Sequence, residues 1–211
     1  MVSADRLLAF AAMSFLLIVV PGPSVLFTVG RALAHGRRAA LSSVVGNAIG
    51  AYVLVTAVAL GVGAVVERSA VAFTVLKLAG AAYLVYLGIK AWRQRGSLPV
   101  AISGEPPRGG LHTLWDGFAV GVANPKTIVF FAAVLPQFAD PGLGHVVGQM
   151  MLLGLIFVGI ALASDSAWGL GASVARDWFA RSPRRLAAVG RVGGLSMIGL
   201  GVTVAVTGRK D

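Results

Sequence analysis

Leu16-Leu17-Ile18-Val19-Val20-Pro21-Gly22-Pro23-Ser24-Val25-Leu26-Phe27 contains the break around which this chain is organised. The apolar run begins at Leu7 and resumes beyond the break as far as Val29. Proline has no backbone N–H and clashes with the carbonyl four residues back. It also drives the preceding residue out of the α region, and glycine adds freedom to leave helical angles. A run long enough to cross a bilayer is therefore interrupted at Pro21-Gly22-Pro23. Freed backbone groups in hydrocarbon cost several kcal/mol each, so such a break is tolerated where it is buried or lines a cavity. The plain alternative is a kink in a packed helix, because proline is frequent in membrane spans. A second break, Asn124-Pro125-Lys126, begins 103 residues after Pro21 in a similar setting. Discontinuous spans at corresponding places in two halves of a chain point to a transporter's substrate site.

The composition agrees with a membrane setting. Of 211 residues, 57% are hydrophobic and only 12% charged, against about 25% charged in a soluble domain. Glycine occurs 28 times, and small residues let membrane helices approach closely. The net charge of +10 raises the question of nucleic acid. The basic residues, however, sit in short clusters between apolar runs, as expected for orientation signals and contact with membrane lipid. No nucleic-acid partner is expected. The absence of cysteine excludes disulfides, thiolate chemistry and cysteine-ligated metals.

Enzymatic motifs are missing. Gly22-Pro23-Ser24-Val25-Leu26 lacks the last glycine of a nucleophile elbow. His35, His112 and His145 lie in or near loops without ligand spacing, and no Gly-Lys-Ser/Thr phosphate loop occurs. No metal, cofactor or enzymatic activity is expected. Arg6 ahead of an apolar run resembles a signal peptide, but the run continues past Pro21 with no small-x-small cleavage site. It is a retained first span.

A spanning helix needs about 20 apolar residues. Six stretches qualify, near 5–30, 39–65, 69–91, 113–138, 144–172 and 187–207. The first is broken at Pro21 and the fourth at Asn124-Pro125. The fold class is an all-α integral membrane protein. It forms one transmembrane transporter domain over 1–211, with repeat one near 5–91, a cytoplasmic loop near 92–112 and repeat two near 113–207. The first, third and fifth connections hold eleven Lys and Arg, against four in the termini and remaining connections. Cytoplasmic loops collect such charges, which places both termini outside, unless the first span is re-entrant.

The chain looks doubled. Each half begins with a proline-broken helix and closes with a glycine-spaced one, Gly80 to Gly88 and Gly193 to Gly201. Three spans per half is an odd number, so the halves are inverted. Inverted repeats place a site near the midplane where they meet.

Ionisable groups inside spans cost about 2.5–3.5 kcal/mol on insertion scales and face cavities or each other. Lys77, Lys126, Asp165 and Arg191 are such groups. Lys77 and Arg191 lie near the starts of their spans, where a long side chain can reach the interface. Lys126 follows a break. It either faces an aqueous pocket and a substrate carboxylate, or holds freed carbonyls of the broken backbone. Asp165 is flanked by Ser164 and Ser166, which suits a proton relay or a partner for a substrate ammonium. The other reading is a salt bridge to Lys126 or Arg191. Asn47, among small residues in the second span, suits a bond between helices or a place in the site. Helices restarting after Pro23 or Pro125 present free N–H groups and a positive dipole end that could hold a carboxylate. The candidate site is Pro21, Gly22, Pro23, Asn47, Lys77, Asn124, Pro125 and Lys126 for substrate or gating, with Asp165 for protons.

Several motifs in order carry a resemblance. They are Pro21-Gly22-Pro23; Gly46 and Gly50; Gly80-Ala81-Ala82-Tyr83-Leu84 with Leu87-Gly88; and Asn124-Pro125-Lys126 followed by Phe130-Phe131 and Leu135-Pro136-Gln137-Phe138. Over about residues 6–205 the chain resembles the LysE/RhtB amino-acid exporter family. The resemblance implies a six-helix inner-membrane carrier that expels amino acids by antiport with protons, with room for a homodimer. Family members that carry basic amino acids tend to have an acid in the second span and another after the Asn-Pro. This chain has Asn47 and Thr127-Ile128-Val129-Phe130 there. It is thus more similar to the branch for homoserine, threonine and other neutral amino acids. A basic amino acid, another small metabolite, and a channel or non-transporting scaffold of the same fold are the alternatives.

Overall fold

The computed structural model describes residues 2–68 and 109–175, with isolated positions from 74 to 89 and from 178 to 206. The third and sixth expected spans, and Lys77 with them, lie largely outside the described residues. No strand occurs among the described residues. Helix α1 is Ala4–Val19, α2 Pro23–His35 and α3 Arg37–Arg68. In the second half α4 is Gly110–Ala123, α5 Pro125–Ala133, α6 Leu135–Phe138 and α7 Val146–Val174. A 3₁₀ turn, Pro141–Leu143, precedes α7.

The breaks follow their local chemistry. Val20, which precedes Pro21, is extended at φ −74°, ψ 123°, and ends α1. Gly22 precedes α2, and Pro23 opens it, where a missing N–H costs nothing. The pair α1–α2 is bent by 48°. At the second break Asn124 takes the extended angles favoured before proline. Its Oδ1 accepts from Lys126 N at 3.1 Å, so one residue ends α4 and caps α5. The pair α4 with α5–α6 is bent by 45°. One interruption was not expected. The helix after Asn124 stops again at Val134, because Pro136 has no N–H to give back along the chain. Gln137 instead donates its side-chain amide to Ala133 O at 2.6 Å.

Two continuous helices are long and apolar enough to cross a membrane: α3, over Arg37–Gly61, and α7. Each bent pair passes the same test if it counts as one span. Gly36, at φ +82°, makes the one-residue corner between α2 and α3. Gly144 and His145, at φ +66° and +52°, make the corner into α7. There Gln149 bonds the backbone of Asp140 in both directions and donates to Gly144 O. The tight turn expected over 139–144 is thus tied to the first turn of α7.

Packing is densest where α3 crosses α4. A Cβ on Gly46 would lie 1.9 Å from Leu114 O, and one on Gly50 2.4 Å from Phe118 O. In return, Cβ atoms on Gly117 and Gly121 would lie 2.1 and 2.3 Å from the carbonyls of Ser43 and Asn47. Backbone meets backbone on both sides, the small-residue packing that lipid permits. An apolar core of Phe10, Phe130, Phe131, Leu135, Met150, Leu153 and Phe157 ties α1, α5, α6 and α7 together. Its rings meet edge-on or tilted, with Phe131 4.7 Å from Phe157 and Phe10 5.9 Å from Phe130. The buried polar residues Asn47, Lys126 and Asp165 stand on α3, α5 and α7, elements that also carry the glycine crossing or this core.

Candidate functional site

The two breaks come together. Asn124 Nδ2 donates to Ser24 Oγ at 2.7 Å, so the residue that caps α5 touches the first turn of α2. Ser24 donates to Asn47 Oδ1 of α3 at 2.9 Å. Asn47 Nδ2 donates to Asp165 Oδ2 of α7 at 3.2 Å. A hydrogen-bonded chain thus runs from one break through the other to the buried acid, using four separate elements. Asn47, Asn124, Lys126 and Asp165 are all 6% exposed or less, so each polar group depends on these partners.

Lys126 reaches back to the first break. Its ammonium donates to Val20 O at 2.8 Å and to Leu17 O. These are end-of-helix carbonyls that α1 itself cannot pair. A cation there also meets the negative end of the α1 dipole. This is the anchoring contact, made across the two halves of the chain. Lys126 and Asp165 line one cavity but do not form an ion pair with each other. The salt bridges among the described residues are Arg6–Asp140 and Arg31–Asp116. Arg191 is exposed, so Asp165 is held by Asn47 rather than by either base considered for it.

The cavity has a volume of about 30 Å³ and is lined by Ile18, Gly22, Ser24, Asn47, Lys126 and Asp165, among others. At about 10–15 Å³ of such volume per water, it holds about two waters and no amino acid. Lining it are both breaks, α1, α2, α3, α5 and α7. Pro21, Pro23 and Pro125 contribute shape: they end or open helices so that Gly22, Ser24 and Lys126 arrive at the centre. Among the described residues no group of three His, Asp or Glu could hold a metal ion.

Ser24 is the residue that sequence reasoning missed as a site member. Its signal was position, immediately after Pro21-Gly22-Pro23, where the first turn of α2 must face whatever fills the break. Arg31, counted only as an orientation charge, and Asp116 were also missed. They form an ion pair between α2 and α4.

A polar, break-lined centre inside apolar helices defines a membrane transporter rather than an enzyme. Residues 15–208 match the family model described as LysE type translocator. The chain belongs to that family, and fits a multi-pass place in a bacterial inner membrane. An uncharacterized membrane protein of Vibrio cholerae is 34% identical, over 94% of this chain and 95% of its own length. A homoserine/homoserine lactone efflux protein of Salmonella typhimurium is 31% identical, over 93% of this chain and 94% of its own. A leucine efflux protein of Enterobacter sp. is 31% identical over 60% of each chain. No solved structure matches the chain.

Proposed function

We propose that this protein exports neutral amino acids or close derivatives, of the kind named for its homoserine and leucine efflux relatives, in exchange for protons. The observation that carries the reading is the chain Asn124–Ser24–Asn47–Asp165, which joins both helix breaks to one buried acid. A buried acid next to a water-sized cavity is a place to load and unload a proton. The same cavity is lined by that acid and by one base, Lys126. A zwitterion brings one charge of each sign and matches this balance. A basic amino acid brings a second cation, and the position that could answer it holds Asn47.

Transport proceeds by alternating access between two inverted three-span halves. The described elements support this arrangement: each half runs broken pair, glycine corner, long helix. Asp165 takes a proton from outside and releases it inside, and the substrate moves the other way. Lys126 leaves the α1 carbonyls to meet the substrate carboxylate in the loaded state. The start of α2, which has no side-chain cap, lies beside it, whereas at α5 Asn124 already takes the Lys126 N–H.

The test is efflux of radiolabelled homoserine, threonine, leucine and lysine from loaded proteoliposomes, with and without a pH gradient. Saturable, gradient-stimulated efflux of neutral amino acids is expected, with lysine at background. Efflux of lysine alone would shift the substrate class to basic amino acids. Linear, non-saturable flux would make the protein a channel, and no flux of any kind a scaffold. In Asp165→Asn the stimulation by pH should fall at least tenfold. Unaltered stimulation in that variant would remove Asp165 as the proton carrier.

A further inference from the structure

Toward the end of the bundle that carries Arg37 and Arg38, the site is followed by a second polar layer. Thr28 lies one helical turn beyond Ser24 on α2, and Ser43 one turn before Asn47 on α3. Thr28 is 1% exposed and Ser43 fully buried, yet neither hydroxyl has a hydrogen-bond partner. In a helix such a hydroxyl ordinarily bonds the carbonyl a turn back, and orphaned buried groups call for an explanation such as transient water. The layer lies where helices meet. A Cβ on Gly169, one turn beyond Asp165 on α7, would touch Thr28 Cγ2 at 3.0 Å and Ala40 Cβ at 3.2 Å. Gly117 of α4 abuts the backbone of Ser43.

The next turn carries the Arg31–Asp116 ion pair. Asp116 adjoins Gly117, and Arg31 is three residues past Thr28. The side chains are 16% and 29% exposed, and the Arg31 guanidinium lies 5.1 Å from the centroid of the Phe27 ring. The pair joins the restarted helix of the first half to the leading helix of the second. We propose that Arg31–Asp116 is the latch on the cytoplasmic mouth of the transport path, and that Thr28 and Ser43 line the segment it closes. The inference rests on the reading that a path runs through the central site. It assigns the path's inner course and its closure, which that reading leaves open. At the opposite end Arg6–Asp140 also bridges the halves, but its side chains are 43% and 33% exposed. That pair is more open to solvent and serves as a comparison.

The absence of native cysteine makes the test clean. Thr28→Cys and Ser43→Cys each give a single thiol in the closed segment. Labelling by a membrane-impermeant maleimide is timed in inverted vesicles, which present the cytoplasmic face, and in right-side-out vesicles. With the latch intact, labelling is expected to be slow from both faces. Adding Asp116→Asn, or Arg31→Gln if that variant does not fold, should speed labelling at least tenfold in inverted vesicles only. The charge swap Arg31→Asp with Asp116→Arg should restore the slow rate, and Asp140→Asn should leave it unchanged. Rates within twofold of the intact latch, or acceleration only in right-side-out vesicles, overturn the proposal. Labelling needs no substrate. A latch that responds while no amino acid is exported separates failure of the substrate reading from failure of this one.

Discussion

Ser24 occupies the junction of the polar centre, accepting from Asn124 and donating to Asn47. Ser24→Ala removes both bonds at once. A buried polar group left unpaired costs about 1–3 kcal/mol, so the variant should melt measurably lower in detergent and export more slowly. Lys126→Met should be worse, because it strips the Leu17 and Val20 carbonyls and removes a charge-assisted contact worth about 1.5–3 kcal/mol. Thermal unfolding of purified protein measures both, and equal melting temperatures for Lys126→Met and the parent would dismiss the anchoring role. Asn47, Asn124, Lys126 and Asp165 were legible because polar groups inside apolar runs stand out. Ser24 was not, since serine is cheap enough in lipid to need no reason. Arg31 and Asp116 were illegible as a pair, because an end-of-span charge looks like an orientation signal until its partner is found.

At the scale of elements, the glycine crossing of α3 on α4 fixes where Asn47 stands. The atoms that would meet a new Cβ at Gly46 or Gly117 are backbone carbonyls at 1.9 and 2.1 Å, and a carbonyl cannot rotate aside as a side chain can. Gly46→Ala and Gly117→Ala should therefore force the helices apart and cost at least the 1–3 kcal/mol typical of overpacking. Gly159→Ala, with nothing within 4 Å of its Cβ, should show no loss in the same unfolding assay. Similar losses at all three positions would mean that helix flexibility, not close approach, is what these glycines supply. The Gly46–Gly50 spacing was visible in the sequence, yet spacing states that something approaches closely without naming it. The proline breaks were readable because the constraint is local. The interruption at Val134 was not, because Pro136 lies within the apolar run that follows Pro125 and no glycine beside it marks a second stop.

For the whole molecule, the central cavity of about 30 Å³ is smaller than an amino acid. On the proposed reading, substrate entry requires the walls of this cavity to part. Ala161→Leu, on the cavity wall, should reduce efflux at least tenfold while thermal stability drops by no more than the 1–3 kcal/mol of ordinary overpacking. Full efflux by this variant would move the substrate elsewhere. The family and membrane class were legible from the order of motifs along the chain. That both breaks share one site followed from reading the halves as inverted, but the bonds that join them, Asn124 to Ser24 and Lys126 to Val20, were not legible, because they link residues about a hundred positions apart.

While the chain is being made, α3 enters the bilayer long before α4 exists. Until then Gly46 and Gly50 lack the helix whose backbone covers them, and Lys126 is not yet available to cover the carbonyls of Leu17 and Val20. The first half is therefore a half-joint awaiting its counterpart, and it stays uncovered at least until translation has passed residue 126. Translocation machinery or membrane proteases would meet it in that interval. By the same logic, the two halves made as separate polypeptides carry complementary surfaces and should find one another in the membrane.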